Sequence, residues 1–296
     1  MTDVVILTDQ NNLSQFNENG KSQYGYIEDS ILKEALQDQG FKVLRLPWND
    51  TSFDWSTTKS IIFRSTWDYF YHFSEFSIWL KKVSKQTHLI NSKNSIHWNI
   101  DKHYLLDLQN KGVHIAKSHF IEQNSLTTLK QLHEELGWKE TVLKPCISGT
   151  ARHTYKLHSD NLQDYEVIFK ELIKNEAMML QPFQYSIVEK GEVSMVLFDG
   201  QFTHAVLKVA KKGDFRVQDD FGGTVHEYNP TEAEIAFAEH AVKACSTMPS
   251  YARVDAVWND EDQLSISELE LIEPELWFRN KPESANELAK YIKSNW

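Results

Sequence analysis

The sequence predicts a chain of mixed α/β and α+β class in three parts. These are an N-terminal α/β domain on a parallel sheet (1–97), a central α+β lobe (98–180) and a C-terminal lobe on an antiparallel sheet (181–296). Three observations carry this expectation. Short apolar runs alternate with helical patterns in the N-terminal part, the order that builds a parallel sheet. Asp199-Gly200 joins two strand-like runs as a two-residue hairpin turn. The stretches Tyr251–Trp258 and Leu264–Glu275 alternate apolar and polar residues about the polar turn Asn259–Gln263, which reads as an antiparallel pair.

Taken in order, Val4–Leu7 is a buried-type strand and Ile27–Gln39 a helix stopped by Gly40. Phe41–Leu46 and Ser60–Phe63 are further strands, Ser74–Val83 a helix and Leu89–Ser92 a short strand. No G-x-G-x-x-G follows the first strand, so a dinucleotide fingerprint is absent. In the central part Trp98–Gly112 reads as one helix with Lys102 in its first turns. Val113–Ile121 reads as a strand and Leu126–Leu136 as a helix. The strand starting at Thr141 runs into a small-residue loop ending at Arg152, with a helix over Asp160–Ile173 and a strand over Ala177–Phe183. Gly191–Phe198 and Phe202–Lys208 flank the Asp199-Gly200 turn, and Thr231–Cys245 is a helix.

The net charge of −11 excludes a nucleic-acid or anionic-membrane partner, either of which needs a basic face. No apolar run approaches a membrane span. The start, with an acid before its apolar run, reads as a first strand and not a signal peptide. The cysteines Cys146 and Cys245 lie far apart in no metal-ligand spacing, which fits a reducing cytoplasm.

A four-residue loop over Asp260–Gln263 sets Asp255 opposite Glu268 and Arg253 opposite Glu270. A one-residue slip would send the acids to opposite faces. Opposed carboxylates destabilise a sheet without a cation between them, and an all-oxygen donor set suits Mg²⁺ or Mn²⁺. For an isolated hairpin a solvated acidic edge is the default reading. Here the acids lie between apolar residues, and phosphate-type features stand upstream. Lys144 ends an apolar strand, and Ser148-Gly149 begins a loop of little bulk that backbone N–H groups can turn toward phosphate. Arg64 and Ser65 follow the third strand, where α/β sheets bind ligands. Lys208 and Arg216 concentrate positive charge in an acidic chain.

Together, Arg64–Tyr69, Trp98–Tyr104, Lys144–Gly149, Leu180–Phe183, Gly191–Ser194, Tyr251–Asp255 and Glu268–Glu275 resemble, in order and spacing, the ATP-grasp superfamily. The likeness covers nearly the whole chain and is to its glutathione-synthetase-like ligases, in particular the group containing a cycloserine-biosynthesis enzyme. The resemblance implies an ATP-grasp fold whose central lobe, with the Lys208–Gly223 loop, forms a lid. It implies ATP with Mg²⁺ (or Mn²⁺), Lys102 and Lys144 on the phosphates, and Ser148 and Gly149 in the closing loop. Gln181, Pro182 and Phe183 would form the adenine hinge. Glu189 or Glu192 would accept the ribose hydroxyls, and Asp255, Glu268 and Glu270 would hold the metal. Arg216 and Lys208 would be catalytic, and Arg64, Ser65, Asp68 and Glu273 would face the substrates. The chain departs from the pattern at Glu270, where many relatives carry Asn, and at Arg216…Gln218, where relatives have R-x-N. The implied activity joins a small carboxylate to an amine through an acyl phosphate. Ring closure within one amino-acid derivative, a kinase-like phosphotransferase and a nucleotide-binding module without turnover are the other readings. A homodimer is the family's habit.

Overall fold

The N-terminal strands bury both faces, and their alternation sorts two cores. β1 (Thr2–Thr8), β2 (Val43–Pro47), β3 (Thr58–Phe63) and β4 (His88–Ile90) form a parallel sheet in the order β2-β1-β3-β4. The computed structural model describes residues 1–218 and 221–296. Val4, Ile6 and Ile62 pack under α1 (Tyr24–Asp38), whereas Val5, Leu7, Ile61 and Phe63 meet the aromatic face of α2 (Phe73–Val83) with Trp48 and Phe76. As expected, Gly40 lies past the end of α1, at φ +84°.

The expected helix over Trp98–Gly112 is two: α3 (Lys93–Asn99) and α4 (Tyr104–Asn110). Lys102 occupies the break, where its N–H donates to the Cys146 carbonyl at 3.0 Å. The strand expected over Val113–Ile121 is confined to β5 (His119–Ile121), with Ile115 bridging Ile266. α5 (Leu129–Leu136), β6 (Glu140–Pro145), β7 (Tyr155–His158), α6 (Leu162–Asn175) and β8 (Met178–Pro182) follow. The sheet order here is β5-β8-β6-β7, all antiparallel.

After α7 (Ser186–Glu189), β9 (Glu192–Phe198) and β10 (Gln201–Val209) meet at Asp199-Gly200, whose φ values of +50° and +72° suit a primed turn. β11 (Thr224–Tyr228), α8 (Glu232–Lys243), β12 (Tyr251–Trp258), β13 (Leu264–Glu270) and α9 (Glu283–Ser294) complete the chain. The second antiparallel sheet runs β11-β10-β9-β12-β13. Two residues of the expected Lys208–Gly223 lid, Asp219 and Asp220, lie outside the described residues.

The β12–β13 register reaches the expected pairs by another route. Trp258 pairs with Leu264, so the loop has five residues rather than four, and Ala256 pairs with Ile266. An extra residue, Ser267, then restores Asp255 opposite Glu268 and Arg253 opposite Glu270. β13 ends at Glu270 instead of running on to Glu275.

The two outer sheets are tied edge to end. The Tyr251 hydroxyl donates to the carbonyls of Phe63 and Ile272, each at 3.0 Å. Buried Asn91, just past β4, donates to the carbonyls of Tyr251 and Leu271 (2.8 Å each) and accepts from the Ser250 N–H. On β10, buried His204 bonds the Leu276 carbonyl through Nε2 at 2.9 Å, and burial lowers its pKa to about 4. An unfolded His titrates near 6.5, so as pH falls the unfolded chain takes the proton first. The contribution is complete above that pH and is lost on acidification toward pH 4, by up to about 3 kcal/mol. Urea midpoints at pH 7 and pH 5 should therefore converge more closely in His204→Gln than in the wild type.

Candidate active site

One row of side chains crosses four strands of the C-terminal sheet. Strand pairing sets Lys208 beside Glu192, Ser194 beside Asp255, Asp255 beside Glu268 and Arg253 beside Glu270. Pairing thus converges these groups on one face. Lys208 Nζ lies 2.5 Å from Glu192 and 3.3 Å from Asp255. The Ser194 hydroxyl donates to Asp255 Oδ1 at 2.5 Å. Arg253 grips Asp255 through Nε and Nη2, at 3.0 and 2.7 Å, and its Nη2 also donates to Glu270. The bulge turns Ser267 onto the same face, where its hydroxyl donates to Glu192 Oε2 at 2.9 Å.

Opposite this face stands the central sheet. Along β6 the side chains of Val142 and Lys144 reach the cleft while Thr141 and Leu143 are buried behind. Lys102 spans the gap: its Nζ donates to the Ser148 carbonyl at 2.7 Å and lies 2.9 Å from Glu268. The α3–α4 segment carrying Lys102 is braced on β13, with Asn99 bonding the Leu269 carbonyl (2.7 Å) and Leu271 N–H (2.8 Å), and Tyr104 Oη accepting from Leu269 N–H (2.8 Å). The lysines therefore approach from two supports: Lys102 from the core of the acid-bearing sheet, Lys144 from the central sheet.

Burial opposes every charge here, and neighbours decide the outcome. For Lys102, Glu268 outweighs burial and holds the ammonium above its ordinary value; Lys102 and Lys144 in turn depress Glu268. Asp255 is held well below the usual carboxylate range by Arg253 and Lys208, against burial. For Glu270 burial wins over Arg253, and its pKa rises to about 7. Burial likewise lowers Lys144, only partly offset by Glu268. An all-oxygen donor set suits a hard divalent cation, but among the described residues Asp255, Glu268 and Glu270 do not bring one oxygen each within 4.8 Å of one another. The group whose ligand atoms do come that close is Asp101, His103 and Cys146, outside the cleft lining.

The cleft, about 1860 Å³ counted to its open mouth, brings together Lys102, Lys144, Ser148, Gly149, Gln181, Pro182, Phe183, Glu192, Lys208, Arg216, Asp255, Glu268, Glu270 and Glu273. Four expected residues are absent from its lining. Arg64 is buried, 4.0 Å from Glu28 and over the Tyr251 and Phe278 rings, and Ser65 bonds Asp29 and Thr8. Asp68 accepts from the Trp48 indole at 2.7 Å. The polar cluster after β3 thus braces the N-terminal sheet instead of opening to the cleft. Glu189 is exposed on α7, so of the two ribose candidates only Glu192 lines the cleft. At the hinge, the Phe183 N–H is already committed to the Glu140 carbonyl at 2.9 Å, which removes it as a donor to a base. Arg216 lines the cleft, but its guanidinium is held by Asp214 and stacks on Phe221 at 3.7 Å.

The small-residue loop is strained. Thr150, Ala151 and His153 adopt φ of +47°, +56° and +48°, each costing about 1–3 kcal/mol. Arg152 pins the loop to Glu176 and to the Ile147 carbonyl. Gly149 lies so close to Phe70 that a Cβ would sit 2.6 Å from the ring. Ser194 and Ser267 had no expected role at the site, whereas Arg253 was expected beside the acids and opposite Glu270, where it stands. Arg253 shared a face with Asp255 in the alternation, but the bulge that re-aims Ser267 left no mark in the pattern.

Two antiparallel sheets closing on lysines and a carboxylate row give the chain an ATP-grasp fold. Residues 113–247 match the prokaryotic glutathione synthetase ATP-grasp domain and residues 4–91 the N-terminal domain of D-cycloserine synthetase DcsG. The chain is 28% identical over 272 residues to the cycloserine biosynthesis protein DcsG of Streptomyces lavendulae, covering 83% of this chain and 86% of that protein. A crystal structure of D-cycloserine synthetase DcsG superposes with TM-score 0.86 at 24% identity, covering 99% of both chains. D-alanine–D-alanine ligase from Bacillus anthracis gives 0.69 at 13% identity, over 99% of this chain and 97% of that one. At these identities the two superpositions establish the fold.

Arg253 supplies the only guanidinium touching both Asp255 and Glu270 among the described residues. Arg253→Met should destabilise the metal-free protein by about 3–5 kcal/mol, because it leaves buried carboxylates unpaired. In urea titrations, added Mg²⁺ should recover more stability in this variant than in the wild type.

Proposed function

We propose that this chain is an ATP-dependent carboxylate–amine ligase that works through an acyl phosphate. The observation that carries the reading is the 2.9 Å contact of Lys102 with Glu268 inside the cleft. It sets a phosphate-gripping type of lysine on the acid that would share the metal. Lys144 would bind the phosphates from the opposite sheet, and Asp255, Glu268 and Glu270 would hold the Mg²⁺ that accompanies the triphosphate. An ion held there would supply positive charge against the phosphate oxygens. Gln181, Pro182 and Phe183 would wall the adenine, and Glu192 would take the ribose hydroxyls. Ser148 and Gly149 would close over the phosphates.

A substrate carboxylate attacks the γ-phosphorus and ADP departs. The amine nitrogen then attacks the acyl carbon, phosphate leaves with the C–O bond, and the nitrogen gives up a proton. Attack of anion on anion needs positive charge around the transferring group, which Lys102, Lys144, Lys208 and Arg216 supply. Arg216 must leave Asp214 to take part. Exclusion of water protects the acyl phosphate, and the loop on Phe70 with the segment after Lys208 serves that purpose.

The units 1–97, 98–180 and 181–296 are proposed as functional parts, the second extended to Pro182 because β8 runs through the boundary. A cytoplasmic homodimer is proposed with them. Among the described residues no helix is long and apolar enough to cross a membrane. The 28% identity to a cycloserine biosynthesis protein favours, as second reading, ring closure within one amino-acid derivative.

Screening amino acids and small amines for ADP release with Mg²⁺ and ATP tests the reading. Phosphate release that requires a carboxylate and an amine, on one molecule or two, is expected; release indifferent to amine would contradict it. Arg216→Ala should lower turnover about a hundredfold or more while AMPPNP binding persists.

A further inference from the structure

Asp101, His103 and Cys146 stand together outside the cleft lining, each with one oxygen, nitrogen or sulfur atom within 4.8 Å of the others. Tertiary structure assembles the set. Asp101 and His103 flank Lys102 in the break between α3 and α4, and Cys146 directly follows β6. The Lys102 N–H donates to the Cys146 carbonyl at 3.0 Å, and the Cys146 N–H donates to the Ala177 carbonyl at 2.9 Å. The backbone of the cysteine is therefore fixed on both sides.

The imidazole lies between two carboxylates. Its Nδ1 bonds Asp101 Oδ1 at 2.5 Å, and the same oxygen accepts from the His103 backbone N–H at 3.0 Å. Its Nε2 is 3.2 Å from Glu122, just past β5, but the contact lacks hydrogen-bond geometry and the atom is shut off from water. The Phe120 ring stacks on the imidazole with centroids 4.3 Å apart, which holds its plane. With Nδ1–H donated to Asp101, the lone pair falls on Nε2. A carboxylate that orients a metal-ligating histidine does the same.

We propose that Asp101, His103 and Cys146, with Glu122 as fourth ligand, bind a divalent ion of the Zn²⁺ class. Sulfur and imidazole together select a borderline-soft ion over Mg²⁺, and four such donors match the tetrahedral preference of Zn²⁺. Bonds of about 2.0–2.3 Å set tetrahedral ligand atoms about 3.3–3.8 Å apart, so the side chains draw in only slightly. Asp101 and His103 are part exposed and give the ion its route from solvent, and exposed Glu122 is free to swing onto it. Burial first, and then the Asp101 charge, keep the Cys146 thiol protonated. As the metal–sulfur bond forms, that proton passes to solvent. The ion ties the α3–α4 break to the ends of β5 and β6. It clamps the backbone of Lys102 from outside and leaves the Lys102 ammonium on Glu268. The site stands independently of the ligase reading.

The probe is Co²⁺, added to the untagged, reduced full-length protein without nucleotide. The wild type should give a thiolate-to-cobalt charge-transfer band in the near ultraviolet, which the all-oxygen donors of the cleft cannot produce. Zn²⁺ should abolish the band, and a large excess of Mg²⁺ should not. Cys146→Ser should lose the band and Cys245→Ser should keep it. His103→Gln should weaken Co²⁺ uptake at least about tenfold in protein whose circular dichroism matches the wild type. That variant carries the test if Cys146→Ser does not fold, because the His103 side chain is part exposed. Wild-type protein without the band at millimolar Co²⁺ overturns the proposal, whether or not cobalt binds elsewhere. So does a band that survives in Cys146→Ser or uptake unchanged in His103→Gln.

Discussion

The contact on which the structure turns is the pairing of β12 with β13. It sets Asp255 against Glu268 and Arg253 against Glu270, and no one of these groups is stable there without the others. Two carboxylates on adjacent strands repel, and burial amplifies the repulsion. Arg253, Lys208 and Lys102 hold the row together from within the sheet, from the neighbouring strand and from the break between α3 and α4. Even so Glu270 stays poorly compensated, with burial outweighing Arg253 and holding its carboxyl up at about 7.

The rest of the fold fixes that row in space. Asn99 and Tyr104 hold the backbone of β13 from one side, and Asn91 and Tyr251 lock the end of the hairpin to the parallel sheet. α9 supplies the apolar cover, with Ala285, Leu288, Ala289 and Ile292 packed among residues of β1, β3 and β9. The N-terminal domain is thus both a wall of the cleft and a buttress for its floor. The position of Arg64 shows the second role: a buried cation over two rings, behind the cleft and outside its lining.

Much of this was legible in the sequence, and the misses have causes. Period-two alternation located β12 and β13 and paired the right acids, although the loop length assumed was four; the five-residue loop and the bulge at Ser267 compensate each other. A bulge costs one residue and alters no pattern, so it is invisible to periodicity. The break at Lys102 was missed because 98–111 holds no Pro or Gly to interrupt a helix, and only the tertiary bond to Cys146 shows why the chain turns there. β7 and β11 were missed because they are short and half exposed, without a clean apolar face. α9 was legible, since its buried residues recur at helical spacing, yet the reading stopped at the acid motif. Of the site residues, those on strands fell where alternation put them. Arg64, Ser65, Asp68 and Glu189 lie at strand ends or on a short helix, where a few degrees of backbone decide which way a side chain faces.

The central claim, that Asp255, Glu268 and Glu270 share a divalent cation with the nucleotide, is tested most directly by counting bound Mn²⁺ by electron paramagnetic resonance in the presence of AMPPNP. The account predicts that the wild type takes up Mn²⁺ with the nucleotide and that Glu268→Gln/Glu270→Gln loses this uptake while remaining folded. Unreduced Mn²⁺ binding by that double variant would contradict it.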